Sequence, residues 1–134
     1  MSILRQRFFE HGRLDDCPIY DMHGHMGPFF GSHLPAAQTD LLIPCMDRAN
    51  IRLLVFCHHQ ALFIPEIANR ANVEVVRAHP DRLRAYCGIN PNYPRIVRRD
   101  VEAYDQYADV FVGFKLLADY HLVPITDDRY RPAW

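Results

Sequence analysis

The chain has 134 residues, 15 basic and 16 acidic side chains, and a net charge of −1. That length suits one domain able to bury a core, and a composition 49% hydrophobic and 23% charged is that of an ordinary globular protein. No block of like charge points to a nucleic-acid or membrane-surface partner, and no apolar run approaches the ~18 residues of a membrane span. The stretch from Met1 to Asp16 lacks the apolar core of a secretory signal. Cys17, Cys45, Cys57 and Cys87 form no C-x-x-C pair, which reads as reduced thiols in a cytoplasmic protein.

Taken in chain order, Ser2–Glu10 reads as a short helix capped by Ser2. Ile19–Met22 reads as the first strand. Thr39–Ala49 places Leu42, Met46 and Ala49 on one helical face, but Pro44 inside it predicts a kink or a late start. Ile51–Cys57 is the second strand. A helix over about Glu66 to Ala78 follows, then a third strand at Leu83–Ile89. Pro94 suits the first turn of a helix over Arg95–Tyr107. Val110–Leu116 is the fourth strand. The second and fourth strands are almost continuously apolar, the pattern of strands covered on both faces in a parallel sheet.

Strand starts at 19, 51, 83 and 110 give a β-α repeat of about 30 residues, the size of a βαβ unit. Strict alternation of this kind implies a parallel sheet, open or closed into a barrel. A closed eight-fold barrel takes ~250 residues. The expectation is therefore an α/β chain holding four βα units, the first half of a TIM (β/α)8 barrel. It stops at Arg131-Pro-Ala-Trp, where a fourth helix would begin, which reads as truncation.

The sharpest motif is Ile19-Tyr-Asp-Met-His-Gly-His-Met-Gly. Alternate residues of a strand share a face, so Asp21, His23 and His25 are expected to point the same way. Two imidazoles at i and i+2 can converge on one metal ion, and neutral imidazole suits zinc and its neighbours. The pair falls at the carboxyl end of its strand, where parallel sheets place their ligand sites. Asp21 lies deeper and reads as a hydrogen-bonding partner rather than a ligand. The competing reading is two histidines satisfied within a turn.

With that strand opening a βα array, the chain resembles the amidohydrolase superfamily, in its amidohydrolase-related branch of metal-dependent hydrolases. Asp-x-His-x-His followed by Gly-Pro is similar to that family's first strand. Met46-Asp-Arg-Ala-Asn-Ile-Arg is similar to its first helix running into strand two. His79-Pro-Asp-Arg-Leu followed by Gly88-Ile-Asn-Pro-Asn is similar to its third strand, and Val112-Gly-Phe-Lys-Leu to its fourth. The resemblance implies a (β/α)8 barrel with one or two divalent metals, zinc foremost, at the strand carboxyl ends. It implies His23 and His25 as ligands, joined by histidines of strands five and six and an aspartate of strand eight. These lie beyond Trp134, so on this reading residues 1–134 are the N-terminal part of one barrel domain and inactive alone.

Lys115 is the only lysine of the chain. In some branches of the family the strand-four lysine reacts with CO2 and its carbamate bridges two metals. A neutral amine is required, which burial favours; the alternative is a cationic lysine paired with a carboxylate or the substrate. His58, His59 and His121 follow strands two and four, on the loops that carry barrel sites, and are candidates for contact with a small-molecule substrate, as are Asn90, Asn92, Phe29 and Phe30. Each has a plainer reading: solvated loop histidines, an Asn-Pro-Asn turn, a covered barrel mouth. His11, His33 and His79 read as structural or exposed.

The functional expectation is metal-activated water attacking an amide, ester or related bond. A non-oxidative decarboxylase of the same superfamily is the nearest alternative. A non-catalytic α/β domain, with structural histidines, is the alternative of another class. A half-barrel would expose strand edges and an apolar face, which favours a homo-oligomer.

Overall fold

Four strands form one parallel sheet in the order β1-β2-β3-β4: β1 Ile19–Met26, β2 Ile51–His58, β3 Leu83–Ile89 and β4 Phe111–Leu116. This computed structural model describes residues 2–31 and 33–134. Helices alternate with the strands: α1 Ile3–His11, α2 Thr39–Ala49, α3 Pro65–Ala78, α4 Pro94–Glu102 and α5 Ala118–His121. The expected α/β alternation around a parallel sheet is therefore present. Among the described residues no helix is long and apolar enough to cross a membrane, and the four cysteines are free.

The elements follow from local chemistry. Ser2 caps α1 by accepting the Arg5 N–H, and Gly12 ends it at φ 71°, where a side chain would be strained. Apart from the half-buried Arg7, every residue of α1 is exposed; a forked pair from Arg7 to Asp16 (2.8 and 2.9 Å) ties it to the chain that follows. Proline does not delay α2, which begins at Thr39 and continues past Pro44 to Ala49. Pro65 opens α3 and Pro94 opens α4, each in the first turn, where no amide proton is needed. The expected helix over Arg95–Tyr107 divides: α4 ends at Glu102, and a 3-10 turn over Tyr104–Tyr107 takes the chain to β4.

Leu54–Cys57 in β2 is buried at every position, as its continuous apolar run requires. Leu54 and Phe56 pack with Leu83, Ala85 and Cys87 of β3, Phe111 of β4 and Met26 of β1. Met46 of α2 and Val76 of α3 cover them, with Tyr104 and Tyr107 at the edge. A second cluster joins Ile89, Val97, Val123 and Tyr130.

The edge strands are irregular, and this shapes the sheet. Asp21 pairs with Leu54 but Gly24 pairs with Phe56, so β1 carries an extra residue there. Between Ala85↔Phe111 and Cys87↔Phe114 the extra residue lies in β4. Such bulges bend a strand and sharpen its twist. The bend is visible in two bridges: the Tyr86 hydroxyl of β3 donates to the Met22 carbonyl of β1 at 3.0 Å, and Lys115 Nζ of β4 lies 3.2 Å from His23 Nε2 of β1. Flat strands one and four would stand roughly 14 Å apart, with side chains perpendicular to the sheet. The sheet therefore curls, and its edge strands lean toward each other over the concave face.

Gly88 of β3 sits where this curl meets the 3-10 turn over His59–Leu62. Its N–H donates to Asn69 Oδ1 (2.8 Å) and its carbonyl accepts from Asn69 Nδ2 (3.0 Å). A Cβ there would collide with the methyl of Ala61, which is fully buried and has no rotamer to offer. Gly88→Ala is expected to lower the unfolding free energy by about 1–3 kcal/mol. Urea denaturation should show a reduced midpoint at unchanged slope.

Candidate functional site

β1 runs four residues further than the sequence suggests, through both histidines to Met26. Its pairing with β2 continues as Gly24↔Phe56, His25↔Cys57 and Met26↔His58. The bulge interrupts the expected alternation between Asp21 and His23. Asp21 turns back on its own strand, and its Oδ1 accepts the His23 N–H at 3.0 Å. His23 and His25 stay together beyond the bulge, with ring centroids 5.2 Å apart and planes tilted by 49°. Both remain accessible to solvent.

The loop after β1 locks to the loop after β2. Gly27 has φ 76°, and a Cβ at this position would run into the His58 ring. The Gly27 carbonyl lies 2.8 Å from His59 Nδ1. A carbonyl only accepts, so Nδ1 carries the proton and Nε2 of the neutral ring is left as the acceptor. His59 also stacks on His25, with centroids 4.8 Å apart and planes parallel to within 1°. His58 Nδ1 accepts the Gln60 N–H and caps the 3-10 turn.

Together these residues border a cavity of about 290 Å³ at the carboxyl ends of the strands, lined by His25, Phe29, Cys57, His58, His59 and Lys115 among others. Desolvation by the cavity wall, then the neighbouring His59, His23 and Lys115, hold His25 below the usual imidazole range, so its ring is neutral near pH 7 and keeps a lone pair for a ligand. Burial pushes the Cys57 thiol up to about 11. It stays protonated near neutrality and serves as wall rather than nucleophile. Lys115 is half-buried, so the structure does not seal its amine from water.

The sequence candidates thus separate. His23, His25 and Lys115 come together although His23 and Lys115 are 92 positions apart in the sequence. Phe29 and His58 line the same cavity. Asn90 and His121 are buried and held within the fold: Asn90 Nδ2 donates to the Leu62 carbonyl at 2.9 Å, and His121 Nε2 lies 2.8 Å from the same oxygen. Asn90 Oδ1 also accepts the Asn92 N–H. Their hydrogen bonds anchor the turn below the cavity. Cys57 and Tyr120, which also line it, carried no sequence signal, because a cysteine ending an apolar strand and a tyrosine in a loop are ordinary core and surface residues.

The arrangement fits two positions of a metal site. Zinc binds imidazole nitrogen at ~2.0–2.1 Å, and two such rings on one tetrahedral ion have centroids roughly 5 Å apart, close to the spacing of His23 and His25. Structural and catalytic zinc sites use three or four protein ligands. Among the described residues no group of three or more His, Cys, Asp or Glu side chains is placed to hold an ion. His59 does not supply the third, since its ring lies parallel to that of His25. No protein-family model, curated protein or solved structure matches the chain.

The histidines of the turn make stability depend on pH. Burial is the main cause holding His58 and His121 below the usual 6.5. The unfolded chain then binds more protons than the folded one as pH falls through this range. Their contribution is complete above pH 6.5 and is lost as pH drops through the lower folded values. The urea midpoint is expected to be lower at pH 5 than at pH 7.5; equal midpoints would contradict this account.

Proposed function

We propose that the concave mouth of this sheet is the first-strand part of a divalent-metal site serving hydrolysis, in a barrel of the amidohydrolase type. One observation carries the reading: His23 and His25, ending β1, are met by Lys115 of β4 across a curled parallel sheet. Ligand sites of parallel α/β folds and barrels form at this end. The curl supports half of a closed barrel, with β1 and β4 as the strands that would pair onward.

His23 and His25 would hold the ion, most naturally zinc, through neutral imidazole nitrogens. Such an ion lowers the pKa of bound water and polarises a scissile carbonyl. The chain's own residues supply positioning. Asp21 fixes the backbone of His23, His59 backs the ring of His25, and Gly27 permits the turn that brings β1 and β2 loops together. Lys115 donates to His23 Nε2, the lone pair a metal would take. On this reading the lysine is an unmodified amine that withdraws when metal binds and is then free to face the substrate.

Calorimetric titration of the full chain with Zn2+ tests both parts. Saturable binding of one ion is expected, weakened roughly tenfold or more in His23→Ala and in His25→Ala, at least as much as loss of an outer-shell partner costs. Unchanged binding in both variants would refute the assignment. Lys115→Met is expected to bind zinc more tightly, because the competing donor is gone. Weaker binding, with an added CO2 in the intact mass of the wild-type chain that is missing from the variant, would instead make Lys115 a carbamate ligand.

A further inference from the structure

The rings at the mouth do not end with the histidines. From His25 the series passes to His59 at 4.8 Å, to Phe29 at 5.1 Å, to Phe30 at 4.8 Å and to Phe63 at 5.9 Å between centroids. Its outer members are open to solvent: Phe30 is 83% exposed and Phe63 52%. Clustered exposed aromatic surface of this kind marks a binding site more often than a scatter of single residues does.

The outer rings border a second, shallow hollow of about 360 Å³ that is open to solvent, lined by Pro28, Phe29, Phe30, His59, Gln60 and Phe63. Phe29 and His59 belong to both cavities and form the wall between them. That wall is held from several sides. His59 is hydrogen-bonded to Gly27 and stacked on His25, and the Phe29 ring lies so close to Gly31 that a Cβ there would strike it. Among the described residues no acidic side chain lines either cavity, and Lys115 is the one basic aliphatic side chain in the linings.

We infer that the second cavity is a subsite for a flat apolar ring of the substrate, whose reacting polar group lies in the first cavity against His25 and Lys115. Aromatic faces and edges favour another ring, offset or edge-on, over a purely aliphatic group. Phe29 and His59 line both cavities, so the two adjoin, and the proposed ligand would reach over these two rings from one into the other. The inference rests on the first cavity being the reaction centre, yet the ring subsite can be tested without metal.

The experiment is side-chain NMR of the full chain, labelled at Phe and His, titrated with 2-naphthol in the absence of metal. Saturable shifts are expected at Phe29, Phe30, Phe63 and His59. Binding should weaken roughly three- to tenfold in Phe30→Ala and in Phe63→Ala, the loss of one ring contact. Phe9→Ala, which removes a 72%-exposed ring on α1, should leave it unchanged. Non-saturating shifts, or equal affinity in the mouth variants, would overturn the subsite. So would sedimentation showing a dimer that Phe30→Ala dissociates, since a second copy would then be the occupant. Zinc binding without 2-naphthol binding would remove the subsite alone, and the reverse would remove the metal reading alone.

Discussion

The curl of the sheet is the constraint on which the mouth depends. His23 and Lys115 belong to its two edge strands and meet only because those strands lean inward. The curl has local causes. β1 carries an extra residue between Asp21 and Gly24, and β4 one between Phe111 and Phe114, and the added bend falls at those places. On the convex side the apolar surfaces of β2 and β3 are covered by α2 and α3, which favours the curved arrangement over a flat one. Tyr86 of β3 reaches across β2 to the backbone of β1, tying the curled strands together.

A second constraint acts one turn further out, at Gly27. Its positive φ and missing side chain let the loop after β1 settle against His58, and its carbonyl then fixes the tautomer of His59. The orientation of His25 follows from this, because His59 lies flat against it. The placing of the His25 ring on β1 is thus set by a residue of the turn after β2. His59, and through it the ring of His25, is held in place before any ligand arrives, which lowers the ordering cost of binding there.

The sequence showed strands where burial is two-sided and failed where it is not. β3 matches its reading to the residue and β2 to within one, because apolar runs bounded by turn residues leave little choice of register. β1 was read four residues short. Polar His23 and His25 and flexible Gly24 look like a strand end, yet backbone pairing with β2 continues regardless of side-chain polarity. The bulge at Asp21 was illegible for the same reason: alternation describes a strand only while its register holds. Asn90 and His121 looked like substrate contacts because polar residues follow strands three and four. In the fold they answer a different need, since the carbonyl of Leu62 is turned inward and a buried carbonyl must be paired. No pattern in the sequence announces which carbonyl will need that help. The pairing of His23 with Lys115 is equally invisible from sequence, as it depends on the sum of three strand crossings.

Charge is distributed so that the mouth stays almost free of it. The chain is rich in arginine, but those guanidinium groups pair outside the mouth: Arg7 with Asp16, Arg77 with Asp109, Arg82 with Asp47, Arg99 with Glu66 and Asp100, and Arg129 with Asp127. Most of these pairs are solvent-exposed and add little to stability. Their larger effect is to use acidic and basic groups against each other, away from the concave face. What remains at the mouth is one lysine among rings, with no carboxylate among the described residues of the cavity lining. A divalent cation arriving there would meet imidazole rings and the amine of Lys115. Imidazole rings bring no negative charge, so on the proposed reading the balancing anion would come as hydroxide, as a further carboxylate ligand or as part of the substrate. The electrostatics of the mouth thus favour anionic company for any metal that His23 and His25 hold.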